Sequence, residues 1–109
     1  MNLDEKILTH LQLRLGDGWQ LYPSLRTVLV YEEFIDPISM WSIHISVVFA
    51  SIHIIPYAFS GNIKTFEKNG INWEDGSIRR EIDLADPGSI EEAVDEAKSL
   101  LKLLKENAA

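Results

Sequence analysis

His44 and His53 sit inside an uncharged stretch. Imidazole titrates near neutral pH and ligates metals, so they are the residues of that stretch best suited to acid–base or metal chemistry. They alternate with serines: Ser42, His44 and Ser46 take every second position, and Ser51 and His53 repeat the pattern further on. A catalytic or metal site would need partners for them. The third histidine, His10, lies in an N-terminal helical pattern, and no H-E-x-x-H, G-x-S-x-G or Walker glycine motif is present. Without a motif, the sequence favours His44 and His53 as members of a polar, half-solvated sheet face. The other use of the pair is a cleft in a small enzyme or ligand-binding domain.

The carboxylates come in neighbouring pairs: Glu32-Glu33, Glu74-Asp75, Glu91-Glu92 and Asp95-Glu96. Neighbours on a strand face opposite ways, so such a pair is no carboxylate dyad. The helical pairs read as solvated surface. Asp75-Gly76 lacks the surrounding ligands of a calcium loop, and a chain without cysteine has no thiolate site, so no metal, cofactor or catalytic residue is expected. Trp73, Glu74 and Asp75, with Arg79 and Arg80 close behind, combine an aromatic with charges of both signs, the composition of a partner-binding hot spot. The plainer alternative is that Trp73 packs across a hairpin onto Phe66.

The elements that must carry these residues follow from periodicity. Asn2 and Glu5 have capping-box spacing, and Leu3, Ile7, Leu8, Leu11 and Leu15 form one helical face that ends at Gly16. Trp19 to Tyr22 reads as a short extended entry ended by Pro23, and Leu25 to Phe34 as the first long strand, closed by a turn at Ile35-Asp36-Pro37. No Asp, Glu, Lys or Arg occurs from Pro37 to Ile63. That run is long enough to suggest a membrane span, but its serines, histidines and period-two alternation describe a strand with two unlike faces.

Within Met40 to Phe59 the polar positions change phase between Ser46 and Ser51. The spacing predicts a single strand with a bulge near Val48–Ala50 in preference to two strands, because no Gly, Asn, Asp or Pro marks a turn there. Pro56 should lie at an edge or past the ladder. Ile63 to Phe66 reads as a short strand, Asn69-Gly70 as a type I′ hairpin turn, and Ile78 to Leu84 as a last amphipathic strand. Ser89 and Glu92 give a second capping box. Ile90, Ala93, Val94, Ala97, Leu100, Leu101 and Leu104 form the stripe of the final helix.

The expected fold is a single α+β domain over 1–109 of order α-β-β-β-β(-β)-α, an antiparallel meander with the N- and C-terminal helices on one face. Its expected core is Leu3, Ile7, Leu11, Leu29, Ile43, Ile45, Val47, Ile90, Val94, Ala97, Leu101 and Leu104. Two helices cover one sheet face only, so a homodimer with contacts at Val48, Ile52 and Ile54 is expected on the other.

Net charge is −7, with six acids against four bases in residues 1–66 and eleven against six thereafter. Such a balance disfavours nucleic acid, whose phosphates need clustered cations, and suits a basic protein partner. The lack of cysteine and of a basic-then-apolar leader points to a cytoplasmic setting. The functional expectation is a small acidic, non-enzymatic binding protein acting through a macromolecular partner, as an inhibitor, an immunity-type protein or an adaptor does. A dimeric chaperone-like module is a further alternative.

Overall fold

The computed structural model of the protein describes residues 2–22, 27–74 and 76–109. Among them run α1 (Leu3–Leu15), β1 (Trp19–Tyr22), β2 (Val28–Asp36), β3 (Ser39–Val48), β4 (Ser51–Ala58), α2 (Ser60–Lys68), β5 (Arg80–Asp83) and α3 (Ser89–Glu106). The strands form one antiparallel sheet in the order β1-β2-β3-β4-β5, a meander as expected from the short connections. Pro23, Leu25 and Arg26, which the sequence assigns to the end of β1 and the start of β2, lie outside the described residues.

Register assigns every strand residue to one of two faces. Trp19 pairs with Tyr31, Tyr31 with Ile43, Ile43 with Pro56, Ile45 with Ile54, and Ile52 with Ile82. That face is dry, and it forms the core with Leu8 and Leu11 of α1, Phe66 of α2, and Ala93, Val94, Ala97, Leu100 and Leu104 of α3. An aromatic row crosses it: Trp19 to Tyr31 at 5.6 Å, Tyr31 to Trp41 at 5.8 Å, Trp41 to Phe66 at 6.3 Å, and Phe66 stacked on Trp73 at 5.3 Å. Such pairs add about 0.5–1.5 kcal/mol each beyond the area they bury. Arg14 of α1 and Glu91 of α3 form a two-pronged ion pair across the helix layer.

The helix ends show how far local signals hold. Asn2 Oδ1 accepts the Glu5 N–H at 2.8 Å, and Gly16 stops α1 with φ +87°. At α3 the cap differs from expectation. Gly88, at φ +77°, precedes the helix and its carbonyl accepts the Glu92 N–H, while Ser89 is a buried first residue of the helix. Leu3 is 69% exposed, outside the buried face of α1 formed by Leu8 and Leu11, and Ile7, Ile90 and Leu101 are half-buried at the margins of the core. Leu104 is fully buried as expected, and Leu100 of the same stripe, not Leu101, is the other fully buried leucine of α3.

Four sequence expectations are corrected. Met40 to Phe59 is two strands, joined by a two-residue turn at Phe49 and Ala50, with Val48 paired to Ser51. Both turn residues have positive φ, +49° and +60°, the requirement of a type I′ turn. The phase change has a simple origin: folding back over two residues puts Ser46 directly opposite His53. A bulge does occur in the sheet, at Ile35, where the register shifts between Phe34 and Asp36.

Ile63 to Phe66 is part of α2, not a strand, and Asn69-Gly70 terminates that helix instead of turning a hairpin. Gly70 (φ +94°) donates to the Glu67 carbonyl and Ile71 to that of Phe66, a Schellman motif whose flanking apolar residues Phe66 and Ile71 are both buried. The helix wins because it places Phe66 against Trp41 and lets Asn62 Oδ1 accept the Met40 N–H at 3.1 Å. The last strand is shorter than expected. Ile78 is buried in the preceding turn, and the Leu84 N–H leaves the β4–β5 ladder to donate to the Ala50 carbonyl. Pro56 meets its expectation: β5 pairs only with Ser51 to Ile54, so Pro56 lies on a local edge.

Candidate binding face

The face turned away from the helices is built by the alternate residues of the same strands. Across its middle run Gln20, Val30, His44 and Ile55; beside them run Tyr22, Val28, Ser46, His53 and Glu81. Glu32, Ser42 and Tyr57 make the row on one side, and Val48, Ser51 and Asp83 the row on the other. The meander and the Phe49–Ala50 turn thus unite the two histidines, nine residues apart in sequence. They are diagonal neighbours on adjacent strands, within reach of one another's environment.

A shallow groove of about 290 Å³ follows this surface, lined by Val28, His44, Ser46, Val48, His53, Ile55 and Tyr57. A second hollow of about 210 Å³ lies over β1 and β2, lined by Gly18, Gln20, Tyr22, Val30, Glu32 and Phe34. In the groove the His44 ring lies 4.5 Å from that of Tyr57, tilted by 57°. Burial among its neighbours lowers the His44 pKa below the usual imidazole value, and the Glu32 carboxylate offsets part of that fall. His53 Nε2 stands 3.8 Å from Glu81 Oε1, an ion-pair distance when the ring is charged but too long for a hydrogen bond.

Ser46, His53 and Glu81 fall in one cross-strand row, with the residue types of a nucleophile, a base and an orienting acid. Acyl transfer would also take free backbone N–H donors beside the nucleophile to stabilise an oxyanion. Ser46 lies in the ladder of β3, directly opposite His53 of β4. Among the described residues, no group of three or more His, Cys, Asp or Glu is placed to hold a metal ion. The face offers an apolar floor, hydroxyls, two imidazoles and carboxylates on one side of the sheet.

The other sequence candidates scatter. His10 is on α1, on the helix side of the sheet. Trp73 is half-buried and stacked face to face on Phe66, so it serves the aromatic row and is no hairpin tip. Arg80 Nε donates to Glu96 Oε2 at 2.8 Å and its Nη1 to the Ser77 carbonyl at 2.8 Å, which commits it to fastening β5 to α3. Glu74 and Arg79 are exposed, and Asp75 lies outside the described residues. Of the apolar contact candidates, Val48 is on the uncovered face. Ile52 and Ile54 are not: the two-residue turn sends them under the helices, where their exposure is 0%. Ile55 and Val28 hold the apolar positions that the sequence gave to that pair.

Tyr57, Ile55 and Glu81 were not singled out from the sequence as members of the site. Their signal was present in the alternation of β4 and β5, but it could be read only once the turn position set the parity. Compared with protein-family models, with curated proteins and with solved structures, the chain shows no match. Among the described residues, no helix is long and apolar enough to cross a membrane.

Proposed function

We propose that this chain is a small non-catalytic binding protein that engages a macromolecular partner through the uncovered face of its sheet. One observation carries the proposal. The helices lie on one side only, and the other side presents the groove of Val28, His44, Ser46, Val48, His53, Ile55 and Tyr57. A volume of about 290 Å³ in so shallow a depression is at the lower limit of small-molecule sites, and suits one or two anchoring side chains of a larger partner. Tyr57 is 49% exposed, and Tyr22 and Phe34 are exposed on the same side. Amphipathic aromatics of this kind are the usual anchors of protein interfaces. A reducing, cytoplasmic setting fits a chain without cysteine.

The test is affinity capture from the source cell with the wild-type chain, the Tyr57→Asp variant and a Lys98→Glu control on the exposed side of α3. A protein captured by the wild type and by the control, but lost with Tyr57→Asp, supports docking on the sheet face. Equal capture by all three defeats it. Self-association through the same face is the second use of this surface, favoured by its exposed aromatics, and sedimentation of the purified chain measures it.

A further inference from the structure

Charge on the uncovered face is one-sided. Register places Glu32, Glu81 and Asp83 there, beside Ser42, His53 and Ser51. Among the described residues, no Lys or Arg occupies a strand position on that face. The cations among the described residues belong to the three helices and to the start of β5, where Arg80 is turned toward Glu96 and Arg79 precedes the strand. Between the carboxylates lie Val28, Val48, Ile55 and Tyr57, so the surface is apolar in the groove and anionic around it.

Resting on the reading of this face as a docking surface, we propose that its occupant is a cationic protein segment with apolar anchors, and that acidification releases it. Lys or Arg side chains of such a segment meet Glu32, Glu81 and Asp83 while its apolar residues enter the groove. A second copy of this chain is the poorer occupant at neutral pH, because it would bring three more carboxylates to the same contact.

The two histidines supply the release. His44 faces Val30 of β2, with Glu32 diagonal to it, and Ile55 of β4, with His53 and Tyr57 diagonal. His53 faces Ser46 of β3 and Glu81 of β5, with His44, Val48 and Asp83 diagonal. While both rings are neutral, the described strand positions of the face hold three negative charges and no positive one. Protonation of both leaves a single net negative charge and places two cations where the ligand's cations must sit. Burial already favours the neutral ring of His44, and docking of a cation favours it further, so binding expels protons and strengthens as pH rises.

The experiment titrates the full-length chain with an alternating Lys–Val decapeptide and with its Glu–Val counterpart, read by calorimetry and by amide chemical shifts. The Lys–Val peptide should bind more tightly and shift resonances of β3 and β4. The paired change Glu32→Gln with Glu81→Gln should weaken it about three- to tenfold, the scale of two exposed charge contacts, and added salt should weaken it as well. Lowering the pH from about 7.5 to about 5.5 should weaken binding by a similar factor, and His44→Gln with His53→Gln should flatten that dependence. Circular dichroism of each variant establishes that the fold is kept, and the salt and pH series on the wild type need no variant.

Equal binding of both peptides, shifts confined to the helices, or a pH profile unchanged by the histidine substitutions overturns the proposal. So does a concentration-dependent shift of the same resonances without peptide, since a second copy would then be the occupant. If the peptides fail while Tyr57→Asp still abolishes capture of a cellular protein, the cationic ligand is wrong and the docking face stands.

Discussion

The turn at Phe49 and Ala50 is the sharpest place to perturb this fold. Two consecutive non-glycine residues hold positive φ there, at +49° and +60°. For L-residues the left-handed conformation costs roughly 1–2 kcal/mol each, and Asn and Gly carry much less of that cost. The Phe49 side chain is 98% exposed, so its removal forfeits almost no packing. The double substitution Phe49→Asn with Ala50→Gly should relieve both residues. Against this stands the extra unfolded-state entropy of glycine, about 0.5–1 kcal/mol. The net expectation is a gain of about 1–2 kcal/mol, which for a domain of this size raises the melting temperature by about 5–10 °C. Urea unfolding followed by circular dichroism measures it, with the slope unchanged if only the native turn is relieved. A loss of stability would refute the reasoning, because it would mean that the chain does not turn over these two residues or that Phe49 is packed.

Three further outcomes follow from burial and titration. Leu100→Ala, at a position with 0% exposure, should cost about 2–5 kcal/mol in urea unfolding, whereas Leu3→Ser at the exposed start of α1 should change it by less than about 0.5 kcal/mol. Asn62→Ala removes the acceptor of the Met40 N–H and should cost about 1–3 kcal/mol, with faster amide exchange at Met40 as the local readout. Burial lowers the folded-state pKa of His44 below its unfolded value, so the unfolded chain binds the extra proton. Its contribution is fully present above the unfolded pKa and is lost as pH falls through the folded one. Melting temperature should therefore fall on acidification below about pH 6.5, and less steeply in His44→Gln, if this ring is a principal source.

Much of the architecture follows from local pattern. The capped start of α1, the stripe of α3, and the alternation that makes Ile43, Ile45 and Val47 one face and Ser42, His44 and Ser46 the other are properties of neighbouring residues, and they appear in the fold as the sequence predicts them. The antiparallel meander follows from connections too short for crossovers. These features depend on periods of 2 and 3.6 residues, which any stretch of chain reveals on its own.

Tertiary structure decided whatever depends on parity or on a distant partner. Phe49 and Ala50 are poor turn residues, yet pairing Ile45 with Ile54 and Val47 with Ile52 under the helices holds them in the turn, and hydrophobic burial outweighs a local strain of a few kcal/mol. Asn69-Gly70 is compatible with a hairpin and with a helix C-terminus; Phe66 packing on Trp41 selected the helix. Moving a turn by one residue exchanges the two faces of a strand, so Ile52 and Ile54 went to the core while Ile55 and Tyr57 joined the two histidines on the other face. The candidate site is made of that exchange. Its residues are written in the sequence, but their meeting on one uncovered face is set by long-range pairing, which no local window contains.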